Sequence, residues 1–191
     1  MLSYIYDNIC IRGSVCMNTV FENIITRRSV RAFNQEKLVE TKTLEDIVTA
    51  GMFAPTARNR QLTQFTVVAK RELIVKLAKA VAIALNLNED YDFYKPTAVI
   101  LTSCPSDSKF IKEDTSCALQ NMFLYAHSVG VGSVWINQPV VCCNDERVRA
   151  VLTELGVPAD HNLGGMMALG YPNQDLTERD LTRRSKAVYN L

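Results

Sequence analysis

A chain of 191 residues, 48 % apolar and 21 % charged, is long enough for one domain with its own core, which excludes disordered and fibrous classes. Lys and Arg number 21 against 20 Asp and Glu, a net charge of +1. No global field therefore draws in nucleic acid or an anionic membrane, and any bound anion must be held by a local cluster of cations.

The first sixteen residues are mildly apolar but lack the basic n-region and long h-region of a signal peptide. Two readings stand side by side. Residues 1–16 are an extension ahead of a true start at Met17, leaving 17–191 as the domain, or they form an ordered N-terminal strand or arm. No apolar run reaches the ~20 residues of a membrane-spanning helix.

Residues 20–25 read as a short helix leading into a basic cluster. Thr43-Leu44-Glu45-Asp46 resembles a capping box, followed by Leu44, Ile47, Val48 and Met52 on one helical face. That helix stops ahead of Pro55, because the residue before a proline avoids the α region. FTVVA (65–69) reads as a buried strand, then Leu73, Leu77, Ala80 and Ala84 form a helical stripe. AVILT (98–102) is a second strand. Ala118, Met122, Tyr125, Ala126 and Val129 form another helix, ended by Gly130 in a place fit for a left-handed cap. SVWI (133–136) is a third strand. Asn144 caps a helix carrying Val148, Val151, Leu152 and Leu155, closed by Gly156 and Pro158. MMAL (166–169) is a fourth strand, and the last nineteen residues are polar and basic.

Strands alternating with helices suggest βαβ units. No G-x-G-x-x-G follows a strand and there is no P-loop, so the Rossmann fingerprint is missing. Pattern alone gives a single α/β or α+β domain with one central sheet. The cysteines (Cys10, Cys16, Cys104, Cys117, Cys142, Cys143) show no CxxC spacing, and the histidines are only His127 and His161, so no metal site is expected. Free thiols point to a reducing, cytoplasmic compartment.

Two constellations carry chemistry. Thr26-Arg27-Arg28-Ser29-Val30-Arg31 places three guanidinium groups and two hydroxyls within six residues, a set suited to a compact phosphate dianion. The plainer reading is a solvated run of charge at a helix C-terminus. In the loop 54–61 (APTARNRQ), Thr, Asn and Gln could reach the edge of a planar heterocycle, or simply join a helix to a strand.

Taken together and in this order, RRSVRAF (27–33) and APTARNRQ (54–61) resemble the nitroreductase family of FMN proteins. DFYKPTAVI (92–100), GVGSVWINQ (130–138) and MALGYP (167–172) are similar to later family segments in the same order. The resemblance implies an α+β fold, a central, mostly antiparallel sheet flanked by helices in one domain, paired into an intertwined homodimer. It implies that Arg27, Arg28 and Ser29 hold the FMN phosphate and ribityl end, with Arg31 near the pyrimidine edge of the ring. Pro55, Thr56, Ala57 and Asn59 would approach the flavin from the partner subunit. Ile136, Asn137 and Gln138 would lie along the N5/O4 side, whereas Trp135 is read as core packing. Arg183 and Arg184 fall where the family places a phosphate-binding basic residue. Leu62 and Thr63 depart from the family's usual Pro-Trp after Gln61.

The activity implied is ping-pong hydride transfer from NADH or NADPH to nitroaromatics, quinones or similar small-molecule acceptors. The cofactor would perform the hard step and the protein would supply orientation and electrostatics. The alternative is a flavin-binding sensor or carrier without turnover. A nucleic-acid-binding reading of 27–31 and 179–186 is weaker, since charge is near zero and no aromatics interleave with the basic residues. Adjacent Cys142 and Cys143 are read as packing rather than as a redox pair.

Overall fold

Strands whose side chains are buried on both faces organise this fold. In the computed structural model, which describes residues 19–174, 176, 180–182 and 185–189, eleven short segments build three layers. In chain order they are α1 (Thr19–Thr26), α2 (Thr41–Met52), a 3₁₀ turn (Ala57–Asn59), β1 (Gln64–Val68), α3 (Arg71–Leu85) and β2 (Ala98–Pro105). There follow α4 (Ile111–Ser128), β3 (Gly132–Ile136), α5 (Gln138–Val141), α6 (Glu146–Glu154) and β4 (His161–Gly170).

The sheet order is β1-β2-β4-β3 and every neighbouring pair is antiparallel. Along β4, Met166 and Ala168 join the core under α3 and α6, while Met167 and Leu169 join the core under α2 and α4. Alternate side chains on a strand point to opposite faces, so a strand covered on both sides reads as one continuous apolar run. The architecture is thus α+β, and the βαβ pairing suggested by strand–helix alternation gives way to antiparallel neighbours. Double burial removes the polar/apolar alternation that usually marks an antiparallel strand.

The helices carry the expected stripes. Ile74, Leu77, Ala78 and Val81 of α3 are buried, as are Val148, Val151 and Leu152 of α6. The helix α4 closes at Gly130, whose φ is 75°, and Val131 N–H donates to Ala126 O at 2.8 Å. Two starts differ from expectation. The helix α2 begins at Thr41 after Glu40, whose side chain makes no capping bond, so no capping box forms at Thr43. Lys42 and Asp46, 2.5 Å apart at i,i+4, support the added turn. For α6 the cap is Asp145, whose Oδ1 accepts the Arg147 N–H at 2.9 Å, while Asn144 Oδ1 accepts from Arg149 Nη2 at 3.4 Å.

Candidate flavin site beside β3

The basic segment following α1 lies beside β3, the strand at one border of the sheet. Ser29 bridges Ser133, and Val30 N–H donates to Ser133 O at 3.0 Å. Val30 packs over Gly132, where a Cβ would stand 2.9 Å from the Val30 side chain. Only glycine permits that approach. Buried Val30 and Phe33 act as two pegs, so Arg27, Arg28 and Ser29 are presented half-buried, while Arg31 is exposed. The Arg27 guanidinium stacks 5.7 Å from the Phe123 ring centroid, and that of Arg31 lies 5.9 Å from the Tyr94 ring centroid.

At the far end of β3, the Ile136 side chain is buried in the α3/α6 core, leaving only its backbone for a ligand. Asn137 is exposed, Gln138 opens α5, and Trp135 Nε1–H reaches Asn137 Oδ1 at 3.4 Å. Trp135 itself packs at 6.3 Å from Phe123, in the core under α2 and α4. Ser133 and Asn137 are four residues apart, about 13 Å along an extended strand. Cations and a hydroxyl at one position with amides at the other suit an elongated phosphorylated ligand better than a bare anion. The donor set fits FMN in this respect.

The polar loop lies elsewhere. It leads into β1, at the opposite border of the sheet, three strands or about 14 Å from β3. Ala57 N–H donates to Asp114 Oδ1 at 2.8 Å, and Thr56 Oγ1 accepts from Gln61 N–H at 3.1 Å. Asn59 Oδ1 accepts from Gln61 Nε2 at 2.9 Å, and Pro55 is exposed. Arg58, Asn59 and Gln61 adopt φ of 56, 53 and 53°, a conformation that side chains resist and that recurs at binding loops. Thr63, one of the two departures from the family pattern, lies 3.5 Å from Cys104 Sγ and lines a cavity of about 120 Å³ with Gly51, Ala54, Thr56 and Phe65. Within the chain, 55–59 therefore do not meet the arginines. Arg183 and Arg184 lie outside the described residues.

Burial pushes the Cys104 thiol above its ordinary value, against the opposing hydrogen bond with Thr63. Burial likewise raises Cys142, helped by the Asp145 charge and by Cys143. Neither thiol is poised as a nucleophile. Cys142 Sγ donates to Gln138 O at 3.2 Å, and Cys143 faces Asn162 Oδ1 at 3.9 Å, which agrees with packing roles. Among the described residues no three His, Cys, Asp or Glu side chains converge as metal ligands, and no helix is long and apolar enough to cross a membrane.

The family model described as the nitroreductase family matches residues 24–104 and 98–171, spanning both the arginine segment and β3. The chain belongs to the nitroreductase family. A curated relative from Archaeoglobus fulgidus, provisionally named an NADH dehydrogenase/NAD(P)H nitroreductase, is 31 % identical over 163 residues, 83 % of this chain and 88 % of its own. A nitroreductase from Bacteroides fragilis, solved with FMN bound, is 31 % identical over 91 % of this chain and all of its own, with a TM-score of 0.82. A nitroreductase structure from Desulfitobacterium hafniense, 22 % identical over 91 % of this chain and 98 % of its own, shares the fold with a TM-score of 0.79.

Two residues of this nitroreductase-family chain escape the sequence reading. Asp114 looks like an ordinary first-turn acid on α4, yet it is 5 % exposed and anchors the polar loop. Tyr94 sits in an aromatic-proline stretch whose backbone no local pattern foretells.

Proposed function

We propose that the protein is an FMN-dependent oxidoreductase taking hydride from NADH or NADPH and passing the electrons to a nitroaromatic, quinone or similar conjugated acceptor. The observation that carries this reading is the half-buried run Arg27, Arg28 and Ser29, held beside β3 by Val30, with Asn137 and Gln138 at the far end of the same strand. The chemistry that FMN supplies when bound is two-electron transfer, with donor and acceptor entering one cleft in turn.

The chain's own residues bind and tune. Arg27 and Arg28 grip the phosphate with charge-assisted bonds, helped by the Ser29 hydroxyl and by Arg183 or Arg184 from the tail. Arg31 places a fixed positive charge where electron density accumulates on the pyrimidine side of the ring. Asn137 and Gln138 orient the ring's N5/O4 side.

The protein works as a cytoplasmic homodimer. Support comes from the opposite placement of the two site segments: Pro55, Thr56, Ala57 and Asn59 cover a flavin only if the arginines belong to the other subunit. Exposed Ile24 (45 %), Met52 (65 %) and Phe53 (84 %) supply apolar surface for that pairing.

The test is the absorbance spectrum of purified protein, its bleaching by NADH and NADPH, and turnover with a quinone or nitrofuran. Arg27→Ala should lose FMN by about 1.5–3 kcal/mol of binding, the value of a charge-assisted contact. Unchanged flavin occupancy in that variant overturns the phosphate assignment. Flavin colour without turnover favours a sensor or carrier.

A further inference from the structure

Asp92, Phe93, Tyr94 and Lys95 form a short link between α3 and β2 with an unusual backbone. Phe93, Tyr94 and Lys95 have φ of 60, 71 and 54°, the one run of three consecutive left-handed non-glycine residues among those described. Lys95 also precedes Pro96, a position that favours extended backbone. Such a run persists only where surrounding bonds impose it.

Those bonds are present, and they converge. Asp92 Oδ1 accepts the Lys95 N–H at 3.1 Å, and Asp92 Oδ2 pairs with Arg71 Nη2 at 2.7 Å. Phe93 is fully buried and meets Tyr91 edge-on at 5.3 Å. Gln35 Nε2 donates to Lys95 O at 2.7 Å and to Phe33 O at 2.9 Å, stitching this link to the arginine segment. That segment is in turn fixed to the exit of β4 by Asn34 N–H to Tyr171 O at 2.8 Å and Asn173 N–H to Ala32 O at 3.1 Å. The outcome of this bracing is a 46 % exposed Tyr94 ring beside the exposed Arg31 guanidinium, 5.9 Å from centroid to cation.

We infer that Tyr94 is a positioning residue: its ring holds the Arg31 guanidinium in place, so that the cation acts on the reduced flavin at full strength. An unsupported arginine on the surface spreads over many rotamers and its field is averaged and screened. A ring face limits that spread without neutralising the charge, as a carboxylate would. The inference rests on the placement of Arg31 near the flavin ring given under Proposed function.

The experiment compares wild type with Tyr94→Phe, Tyr94→Ala, Arg31→Ala and the double alanine variant, all loaded with FMN. Midpoint potential is read by dye equilibration, and dissociation constants are read for oxidised and reduced FMN. Tyr94→Ala should weaken reduced FMN about two- to five-fold relative to oxidised FMN, the size of an exposed cation–π contact, and lower the potential in the direction of Arg31→Ala. Tyr94→Phe should keep the wild-type potential, and the double variant should match Arg31→Ala alone. Gln35→Ala, which frees the Lys95 and Phe33 carbonyls without touching the ring, should reproduce part of the shift, and should add nothing to Arg31→Ala; it serves if Tyr94→Ala does not fold. A lowered potential in Arg31→Ala with none in Tyr94→Ala or Gln35→Ala overturns the role of Tyr94 and leaves Arg31 standing. Full additivity in the double variant overturns it as well. An unmoved potential in Arg31→Ala removes the placement of Arg31, and with it this inference.

Discussion

The Asp114 carboxylate accepts the Ala57 N–H at 2.8 Å, tying the first turn of α4 to a loop 57 residues earlier in the chain. The loop holds three left-handed side-chain-bearing residues, so its shape depends on such anchors. Asp114→Ala leaves the Ala57 N–H without its acceptor and should cost about 1–3 kcal/mol. Asp114→Asn, which can still accept with its amide oxygen, should cost less. Urea unfolding of both variants checks the order, and equal stabilities would remove the anchor.

Gly132→Ala tests how closely the arginine segment must approach β3. Its Cβ would stand 2.9 Å from both Val30 Cβ and Cγ2, so Val30 has to retreat and carry Arg27 to Arg31 with it. The variant should lose about 1–3 kcal/mol of stability, as overpacked sites do, and retain FMN poorly. Val30→Ala in the same chain makes room for the methyl and should restore FMN retention. Failure of that rescue would show that the segment's position is set elsewhere.

The order and type of the main elements were readable because α3, α4 and α6 bury clean helical stripes and the four strands are short apolar runs. Strand direction was not readable from the residue pattern, and the antiparallel sheet came only with the family resemblance. Both faces of β2 and β4 are covered, so Ile100 and Leu101, or Met166 and Met167, carry no sign of which neighbour they pair with. Neither were the strand ends: β4 starts at His161 through Asn162, Gly164 and Gly165, residues that ordinarily weaken a strand. They are there because α4 presses close; a Cβ on Gly164 would come within 2.1 Å of Thr115 Oγ1. The four-residue α5 is too short for any periodicity to reveal. Of the candidate site, the arginine cluster is visible as composition, but its long-range supports, Gln35 to Lys95 and Asp114 to Ala57, are tertiary facts with no local trace.

Alkaline pH should destabilise the protein. Burial raises the thiols of Cys104 and Cys142 above their ordinary 9.0 and the Tyr91 phenol above its ordinary 10.0, Tyr91 being further opposed by Tyr94. Below pH 9 these groups are protonated in both folded and unfolded chains and their contribution is intact. As pH rises past those ordinary values the unfolded chain releases protons that the folded chain keeps, so stability falls. Melting temperature from pH 8 to 10.5 should decline, and Cys104→Ala with Cys142→Ala should flatten the part of the decline that begins near pH 9. An identical slope in that variant would assign the loss to other groups.

Asp92 and Arg71 should respond unequally to removal. The pair spans 2.7 Å with side chains 18 % and 41 % exposed, so solvent screens the attraction and the pair itself is worth little. Arg71 Nη1 is buried with no hydrogen-bond partner among the described residues, a cost that Arg71→Met abolishes while keeping most of the apolar stem. Arg71→Met should therefore change stability by less than about 1 kcal/mol. Asp92 does more, since its Oδ1 also accepts the Lys95 N–H that fixes the left-handed link. Asp92→Ala removes both bonds at once, leaves the Arg71 guanidinium with less compensation, and should cost about 2–3 kcal/mol. Measured by urea midpoint, the double variant Arg71→Met/Asp92→Ala should be more stable than Asp92→Ala alone. Simple addition of the two single effects would mean that the link is held without this ion pair.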